Sequence, residues 1–218
     1  MHKDHGRQIV VNTQYPIAFD SPDHIHPWGT MRDNHSSDSF VQEIGSYFGR
    51  PFSVLDIGCS GGLLIHDFHN GGNVAVGIEG SDYSVVHQRA EWPDLHNKNL
   101  FTCDASREYQ IQFDDTKEDI KFDLITSWDV IEHIHPDRLD TFFQNVKRHL
   151  ADNGVFVGSI STVSEEPSGV QLHLSQHSEP DWESEILPQY FDVSPYPFKH
   201  AVRREHGSFH FFLKHKRG

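Results

Sequence analysis

The chain has 218 residues, and 18 Lys plus Arg against 32 Asp plus Glu give it a formal net charge of −14. This length predicts one domain, or one domain with an appendage, and the acidic balance argues against nucleic acid as a partner, because such binding needs a basic surface. Two cysteines, no apolar run long enough to span a bilayer and no signal peptide at the amino terminus indicate a cytoplasmic protein with no membrane partner.

Three segments differ in composition along the chain. Residues 1–35 are polar, rich in His and Asp and interrupted by proline, which predicts an irregular N-terminal arm that acts as a lid. Residues 36–218 form the domain that follows the arm. Within this domain, residues 161–188 are a polar segment that we expect on the substrate side of the site.

The first predicted helix begins after Ser36 or Ser37 and ends at Gly49, because its apolar residues recur at a spacing near that of a helix. From residue 52 to 160, strands and helices then alternate. The predicted strands are PFSVLDIG, NVAVGIE, NLFTCD, FDLITSWDV and GVFVGSIS, the last one entered by a turn at Asn153-Gly154. The helices between them are predicted over about 63–69, 82–92 (ended by Pro93) and 136–150.

The strand sequences are almost continuously apolar, which is typical of strands buried in a parallel sheet with helices on both faces. A short helix near residues 182–187 and two β-rich runs, YFDVSPYPF and GSFHFFLKHK, end the chain. We therefore predict an α/β fold: a doubly wound, seven-stranded, mostly parallel sheet with an antiparallel C-terminal strand. The Phe-rich last run either completes the sheet or forms a homodimer surface.

Small residues follow the first strand of the alternating region, in the run Gly58-Cys59-Ser60-Gly61-Gly62. Such a loop lets the backbone approach a ligand at the carboxyl end of the strand, where the next helix points its N–H groups. Asp56 precedes this loop, and its charge would repel a phosphate but suits an ammonium or another positively polarised group. Because the loop also lacks the G-x-G-x-x-G pattern, we exclude a nicotinamide dehydrogenase.

Glu79 ends the second strand, where an acidic side chain can accept hydrogen bonds from both hydroxyls of a ribose. Together with Asp56, this position predicts a site for a nucleoside that carries a cationic partner and no pyrophosphate. S-Adenosylmethionine (SAM) meets that description.

The order of motifs resembles the class I, Rossmann-like SAM-dependent methyltransferases over about residues 36–160. VLDIGCSGG and GIEGS are similar to the first two motifs of that family, and FTCDA is similar to the segment that contacts adenine. FDLITSWDVIEHI resembles the version with Glu-His after the fourth strand, and HLADNGVFVGSIS resembles the entry to the fifth. Ser60 stands where many members have glycine. Pieces of residues 21–34 are similar to a subgroup with small-molecule or glycan-related substrates.

The resemblance implies a set of cofactor-binding residues. They are Thr30, Asn34, Asp56, Gly58, Cys59, Ser60, Gly62, Glu79, Gly80, Asp104, Ala105 and Trp128. In this set the loop glycines and Ser60 lie under the methionine part of SAM, Asp56 orients the loop, and Glu79 holds the ribose.

The same resemblance implies that Asp104 accepts a hydrogen bond from the adenine amino group and that Ala105 donates one beside it. Trp128 lies where the sulfonium would sit, so its ring can add cation–π attraction. Structural interpretations stay open at three of the positions: a buried apolar role for Cys59, a helix cap for Asp104 with Ser106, and a core position for Trp128.

Methyl transfer depends mainly on orientation of the reactants, but a hydroxyl acceptor also needs a base. The candidate catalytic residues are His133 and His173, with His177 as a further candidate, and Trp182 is a candidate to stack on a sugar or ring. A cation held by Glu132 and His133 is a second possibility, but the sequence shows no third ligand, so we predict no metal site.

The sequence thus predicts a SAM-dependent methyltransferase that acts on an oxygen, and less readily on a nitrogen, of a small molecule or glycan. A protein or RNA methyltransferase remains an alternative, as does a catalytically silent SAM-binding module.

Overall fold

A seven-stranded sheet forms the centre of the fold in a computed structural model that describes residues 7–203 and 207–216. The strands of the described residues are β1 (Ile9–Thr13), β2 (Ser53–Ile57), β3 (Val74–Glu79), β4 (Leu100–Thr102), β5 (Tyr109–Phe113), β6 (Phe122–Trp128), β7 (Leu150–Ser161), β8 (Phe191–Ser194) and β9 (Ser208–His215).

The helices of the same residues are mostly short. They are α1 (Pro22–Ile25), α2 (Trp28–Arg32), α3 (Asp38–Phe48), α4 (Leu63–Asn70), α5 (Tyr83–Val86), α6 (Trp92–Leu95), α7 (Leu139–His149), α8 (Glu179–Asp181) and α9 (Leu187–Tyr190). Single turns of 3-10 helix lie at Ile131–His133, Pro136–Arg138 and Pro167–Gly169, and a π-helical turn lies at Trp182–Ile186. No described helix is both long enough and apolar enough to cross a bilayer.

The strand order is β4-β3-β2-β6-β7-β9-β8, in which the first five strands are parallel and β9 runs antiparallel to both of its neighbours. This arrangement confirms the predicted doubly wound sheet and its antiparallel C-terminal strand. After β2 the chain forms β3 and β4 on one side of that strand and then returns to form β6 on its other side, so the strand order reverses at β2. Such a switch point opens a crevice at the carboxyl ends of the strands, where α/β proteins bind ligands.

Both faces of the sheet are buried, which explains the continuous apolar runs in the strands. On β2, Val54 packs in the core that contains the buried residues of α3 and α4, whereas Leu55 packs in the core on the side of α7. Ser37 caps α3 by accepting a hydrogen bond from the N–H of Phe40, and Gly49 ends the helix at φ +61°. Both ends of this helix lie where the sequence predicts them.

The structure corrects the predicted turn at Asn153-Gly154, because β7 continues through it as an irregular strand. Phe122 pairs with Leu150, but Leu124, only two residues later, pairs with Val155. β7 therefore has more residues than β6 between these two pairs, and the extra residues bulge out of the β6–β7 pairing. The fourth predicted strand also ends earlier, at Trp128, because the next residue has a left-handed backbone.

The helix predicted over 82–92 is wrong, since the chain forms α5 and α6 with a break between them. Gln88 and Ala90 in the break have φ of +48° and +50°, values that a continuous helix does not allow. Pro93 lies in the first turn of α6 instead of ending a helix, a position that proline tolerates because its missing N–H has no helical partner there.

The arm is also more regular than predicted. β1 pairs antiparallel with β5, from Ile9 opposite Phe113 to Thr13 opposite Tyr109, as a separate two-stranded sheet. Two short helices, α1 and α2, follow. The sequence misses both strands because each is short and finds its partner about 100 residues away.

Candidate active site

A cavity of about 600 Å³ opens at the carboxyl ends of the parallel strands, at the switch point between β2 and β6. This volume is typical of a small-molecule site. Strand ends form its floor, while residues of the arm and of the segment after β7 contribute to its walls. The predicted residues that line it are Thr30, Asp56, Gly58, Cys59, Ser60, Glu79, Gly80, Asp104, Ala105, Trp128, His133 and His173.

Two predicted cofactor residues, Asn34 and Gly62, lie just outside the lining of this cavity. Gly62 is the N-cap of α4, at φ +92°, and offers no side chain to that helix. The side chain of Asn34 instead accepts a hydrogen bond from the N–H of Leu63 at 3.0 Å. A Cβ on Gly61 would collide with Asn34. Asn34 thus caps α4 from the arm, and direct contact with the cofactor stays a prediction.

The loop after β2 is held in place by the arm and by β3. Gly58 has φ +78°, and a Cβ at this position would collide with the side chain of Val130. Ser60 adopts a left-handed backbone at φ +47°, which explains why glycine suits this position in similar proteins. Its hydroxyl donates to the carbonyl of Asp33 at 2.7 Å, and its N–H donates to the Glu79 carboxylate at 2.8 Å.

Two acids, the buried Asp56 and the half-buried Glu79, face the cavity from neighbouring strand ends. Burial raises the pKa of Asp56 to about 7; a 2.6 Å hydrogen bond from Thr126 opposes the shift and the charge of Glu79 adds to it. Burial also raises the pKa of Glu79, although its carboxylate accepts hydrogen bonds from the N–H groups of Ser60 and Ser81. A cationic ligand would relieve the repulsion between these two groups.

Asp104 combines a structural and a ligand-facing role. Its carboxylate accepts hydrogen bonds from the N–H and hydroxyl of Ser106, at 2.9 and 2.6 Å, which fixes the turn after β4. Its own N–H donates to the carbonyl of Tyr15 in the arm. No helix begins at Asp104, so the helix-cap interpretation is wrong: the carboxylate caps a turn instead, and the side chain also lines the cavity.

Trp128 likewise belongs both to the core and to the cavity wall. Its ring packs edge-on against Phe40 with centroids 5.1 Å apart. Its indole N–H is buried and has no hydrogen-bond partner among the described residues. A ligand atom in the cavity can supply that partner.

The two candidate catalytic histidines meet edge to face, with ring centroids 4.6 Å apart. His133 forms an ion pair with Asp23 of α1, with Nδ1 and Oδ2 2.6 Å apart. Burial disfavours the charged imidazole, but Asp23, Glu132 and Glu165 outweigh it and raise the pKa of His133 to about 9.

The pKa of His173 is instead lowered, by burial and by the nearby charge of His133. Its Nδ1 lies 2.6 Å from the carbonyl oxygen of Val163, and its Nε2 lies 3.1 Å from the Glu165 carboxylate. His177 is not part of the lining and contacts Trp182 instead. The suggestion that Trp182 stacks on a substrate is wrong, because that ring is fully buried in the core.

Glu132 is a site residue that the sequence suggested only as a possible cation ligand beside His133. Its side chain is 0% exposed, and one carboxylate oxygen accepts a hydrogen bond from the N–H of Ser161 at 2.9 Å. Burial raises its pKa to about 8, and His133 opposes that shift. His173 lies 40 residues beyond His133 in the sequence, so only the fold brings these groups together.

The crevice at the switch point, the small-residue loop and the acids near successive strand ends lie together, at the place where the sequence predicts the SAM site. The residues present fit the cofactor, since buried carboxylates suit its ammonium group and Glu79 suits its ribose. A family model described as "Methyltransferase domain" matches residues 30–209, and the chain belongs to that family.

Two ubiquinone biosynthesis O-methyltransferases are similar in sequence. The one of Pelagibacter ubique (strain HTCC1062) is 30% identical over 153 residues, which are 65% of this chain and 58% of the relative. The one of Pasteurella multocida (strain Pm70) is 33% identical over 106 residues, which are 47% of this chain and 43% of the relative. The chain thus spans about half the length of these relatives.

A solved structure shares the fold. It is that of the Burkholderia thailandensis 1,6-didemethyltoxoflavin-N1-methyltransferase with bound 1,6-didemethyltoxoflavin and S-adenosylhomocysteine. The TM-score is 0.56 at 19% identity, and the match covers 88% of this chain and 81% of that chain. The chain accordingly belongs to the methyltransferase-domain family and shares the fold of this solved methyltransferase.

The raised pKa of Asp56 predicts a pH-dependent affinity for S-adenosylhomocysteine. Below pH 7 the free protein holds a proton on Asp56, and an ammonium group favours the ionised form, so binding must release that proton. We expect affinity to fall by about tenfold per pH unit below pH 7. Calorimetric titration from pH 8 to pH 6 measures this slope. Asp56→Asn is expected to bind weakly and with a flat response; an equally steep slope in that variant would contradict the assignment.

Proposed function

We propose that this enzyme transfers a methyl group from SAM to a hydroxyl oxygen of a small molecule. The observation that carries the proposal is the His133–His173 pair, which lies in the same cavity as the acids predicted to bind the cofactor and is flanked by carboxylates. An oxygen acceptor needs such groups because its proton must leave. The sequence relatives, whose names describe them as O-methyltransferases, support an oxygen acceptor.

SAM supplies an electrophilic methyl group on a sulfonium. With SAM held by the acids at the strand ends, its sulfonium would give up the methyl group and leave as a neutral thioether, and the hydroxyl proton would pass to His173, whose pKa is lowered and which can accept it. The chain contributes by holding both reactants in line, which is the main source of rate in such displacements. Removal of the proton adds about 10²–10⁴-fold for a positioned base.

The acceptor side of the cavity has a mixed lining that suits a small, partly apolar molecule. Val163 and Leu172 provide apolar surface there, next to the two histidines. Asp23 of the arm forms an ion pair with His133 on the same side of the cavity. The arm and the segment after β7 would therefore close over the acceptor together.

The test is methyl transfer to a panel of phenols, catechols and aliphatic alcohols, with primary amines as the nitrogen counterparts. Release of S-adenosylhomocysteine is the readout, and mass spectrometry locates the methyl group. We expect His133→Ala and His173→Ala to lower turnover by about a hundredfold or more and to leave cofactor affinity within a few-fold.

The matched control is His87→Ala, which removes an exposed histidine that does not line the cavity. It should retain full turnover. Transfer to amines only, or unchanged turnover in both cavity variants, would show that the proposed acceptor chemistry is wrong.

A further inference from the structure

We propose that Glu132, His133 and His173 bind a divalent first-row transition-metal cation, with Zn²⁺ as the reference ion. One donor atom from each of the three side chains lies within 4.8 Å of one from the others. All three line the cavity on the acceptor side. Two imidazoles and one carboxylate form a ligand set that suits such a cation and leaves a coordination position open.

The hydrogen bonding of the buried Glu132 carboxylate is incomplete. One of its oxygens is satisfied by the N–H of Ser161, but the other, Oε2, is buried and has no hydrogen-bond partner among the described residues. The backbone around it is rigid, since the Glu132 carbonyl accepts hydrogen bonds from the N–H groups of both Leu174 and Ser175. Because an unpaired buried carboxylate oxygen is unfavourable, an unfilled ligand position is the simplest explanation.

Both imidazoles are oriented by neighbouring oxygens in the way that metal-binding histidines are. The Nδ1 of His133 faces Asp23, and the Nδ1 of His173 faces the carbonyl of Val163, each at 2.6 Å. A histidine that donates from one ring nitrogen to a carboxylate or carbonyl presents the lone pair of the other nitrogen to a metal. Nε2 is then the donor that each ring would offer to the cation, and in His173 this nitrogen now faces the Glu165 carboxylate.

The charge around the cluster also favours a cation. Three carboxylates, those of Asp23, Glu132 and Glu165, surround the two imidazoles, and Glu165 lies 3.1 Å from the Nε2 of His173. A divalent ion would reduce the repulsion among them. Glu165 is half exposed, so its side chain can move aside or join the ligand set when the ion enters.

The role of the cation in catalysis rests on the proposed function. An acceptor hydroxyl in the open position would have its pKa lowered by the charge of the ion, so that its proton is released to solvent before the oxygen attacks the methyl carbon. The histidine pair would then act through the metal, which explains why two histidines and a buried acid meet there.

The experiment uses the whole protein, stripped of metal with a chelator and dialysed. Titration with Zn²⁺ by calorimetry, and with Co²⁺ by visible absorption, should show one site per chain. We expect Glu132→Gln, which keeps the oxygen that Ser161 requires, and His173→Ala each to weaken binding at least tenfold. Thermal unfolding and affinity for S-adenosylhomocysteine confirm that each variant is folded.

The control for histidines elsewhere on the surface is His87→Ala, which should bind Zn²⁺ as the unaltered protein does. Equal binding by all variants would mean adventitious surface binding and would overturn the proposal, as would the absence of any binding. Because these titrations contain no acceptor, the metal site can be established even if no hydroxyl is methylated. Hydroxyl methylation at full rate in the metal-free protein would refute the catalytic role alone.

Discussion

Replacement of Glu79 by glutamine is expected to weaken the binding of S-adenosylhomocysteine by about 30- to 150-fold, which corresponds to about 2–3 kcal/mol. The half-buried carboxylate accepts hydrogen bonds from the N–H groups of Ser60 and Ser81, and we expect it to accept hydrogen bonds from the ribose hydroxyls as well. The amide of glutamine has only one acceptor oxygen. Its NH₂ group would face the N–H of Ser60 or Ser81 and could not accept a hydrogen bond from it. The variant therefore loses the charge of the site and part of the support of the loop.

The measurement is calorimetric titration with S-adenosylhomocysteine, with thermal unfolding as a check on the fold. Glu118→Gln is the matched control, because this residue is exposed and far from the cavity lining. It should bind the ligand normally. If Glu79→Gln bound the ligand with unchanged affinity, the carboxylate would have no role at the ribose.

The second large effect concerns the sheet, where Gly158→Ala is expected to destabilise the protein by about 3 kcal/mol or more. Gly158 lies on β7 between β6 and β9, opposite Ser127 and Phe211. A Cβ there would lie far inside 3.0 Å of the Ser127 carbonyl oxygen and would also press on the Phe211 ring. The backbone of this central strand cannot move away without breaking its hydrogen bonds to β6 and β9.

Gly45→Ala is the matched control, since it makes the same chemical change in the middle of α3. A Cβ at Gly45 meets no atom within 4 Å. Alanine should therefore stabilise the protein by about 0.5–1 kcal/mol through the lower entropy of the unfolded chain. Urea unfolding measures both variants, and a Gly158→Ala protein as stable as the parent would refute the packing argument.

The sheet and the cofactor half of the site were predictable from the sequence because they depend on local patterns. Buried parallel strands need nearly continuous apolar runs, and a ligand at the strand ends needs small residues followed by acids. Asp56, Glu79 and Asp104 each lie within two residues of a strand end, so prediction of the strands also predicted where these side chains lie. The parallel strand order then brings them to one edge.

The acceptor half was less predictable because it is assembled from distant segments. Asp23 in the arm meets His133 after β6, and His173 comes from the segment after β7. No periodicity or spacing links residues so far apart. The pairing of β1 with β5 escaped prediction for the same reason, and the break between α5 and α6 depends on left-handed residues that have no glycine to mark them.

By itself, then, the sequence determined the α/β class, the parallel sheet and the residues placed for the cofactor, since each of these follows from hydrophobic periodicity and from the chemistry of one loop or strand end. Only the tertiary structure decided that Glu132, His133 and His173 meet in one buried cluster and that Asn34 caps α4. Such contacts depend on how separate elements pack, and packing is set by the whole core rather than by any local run of residues.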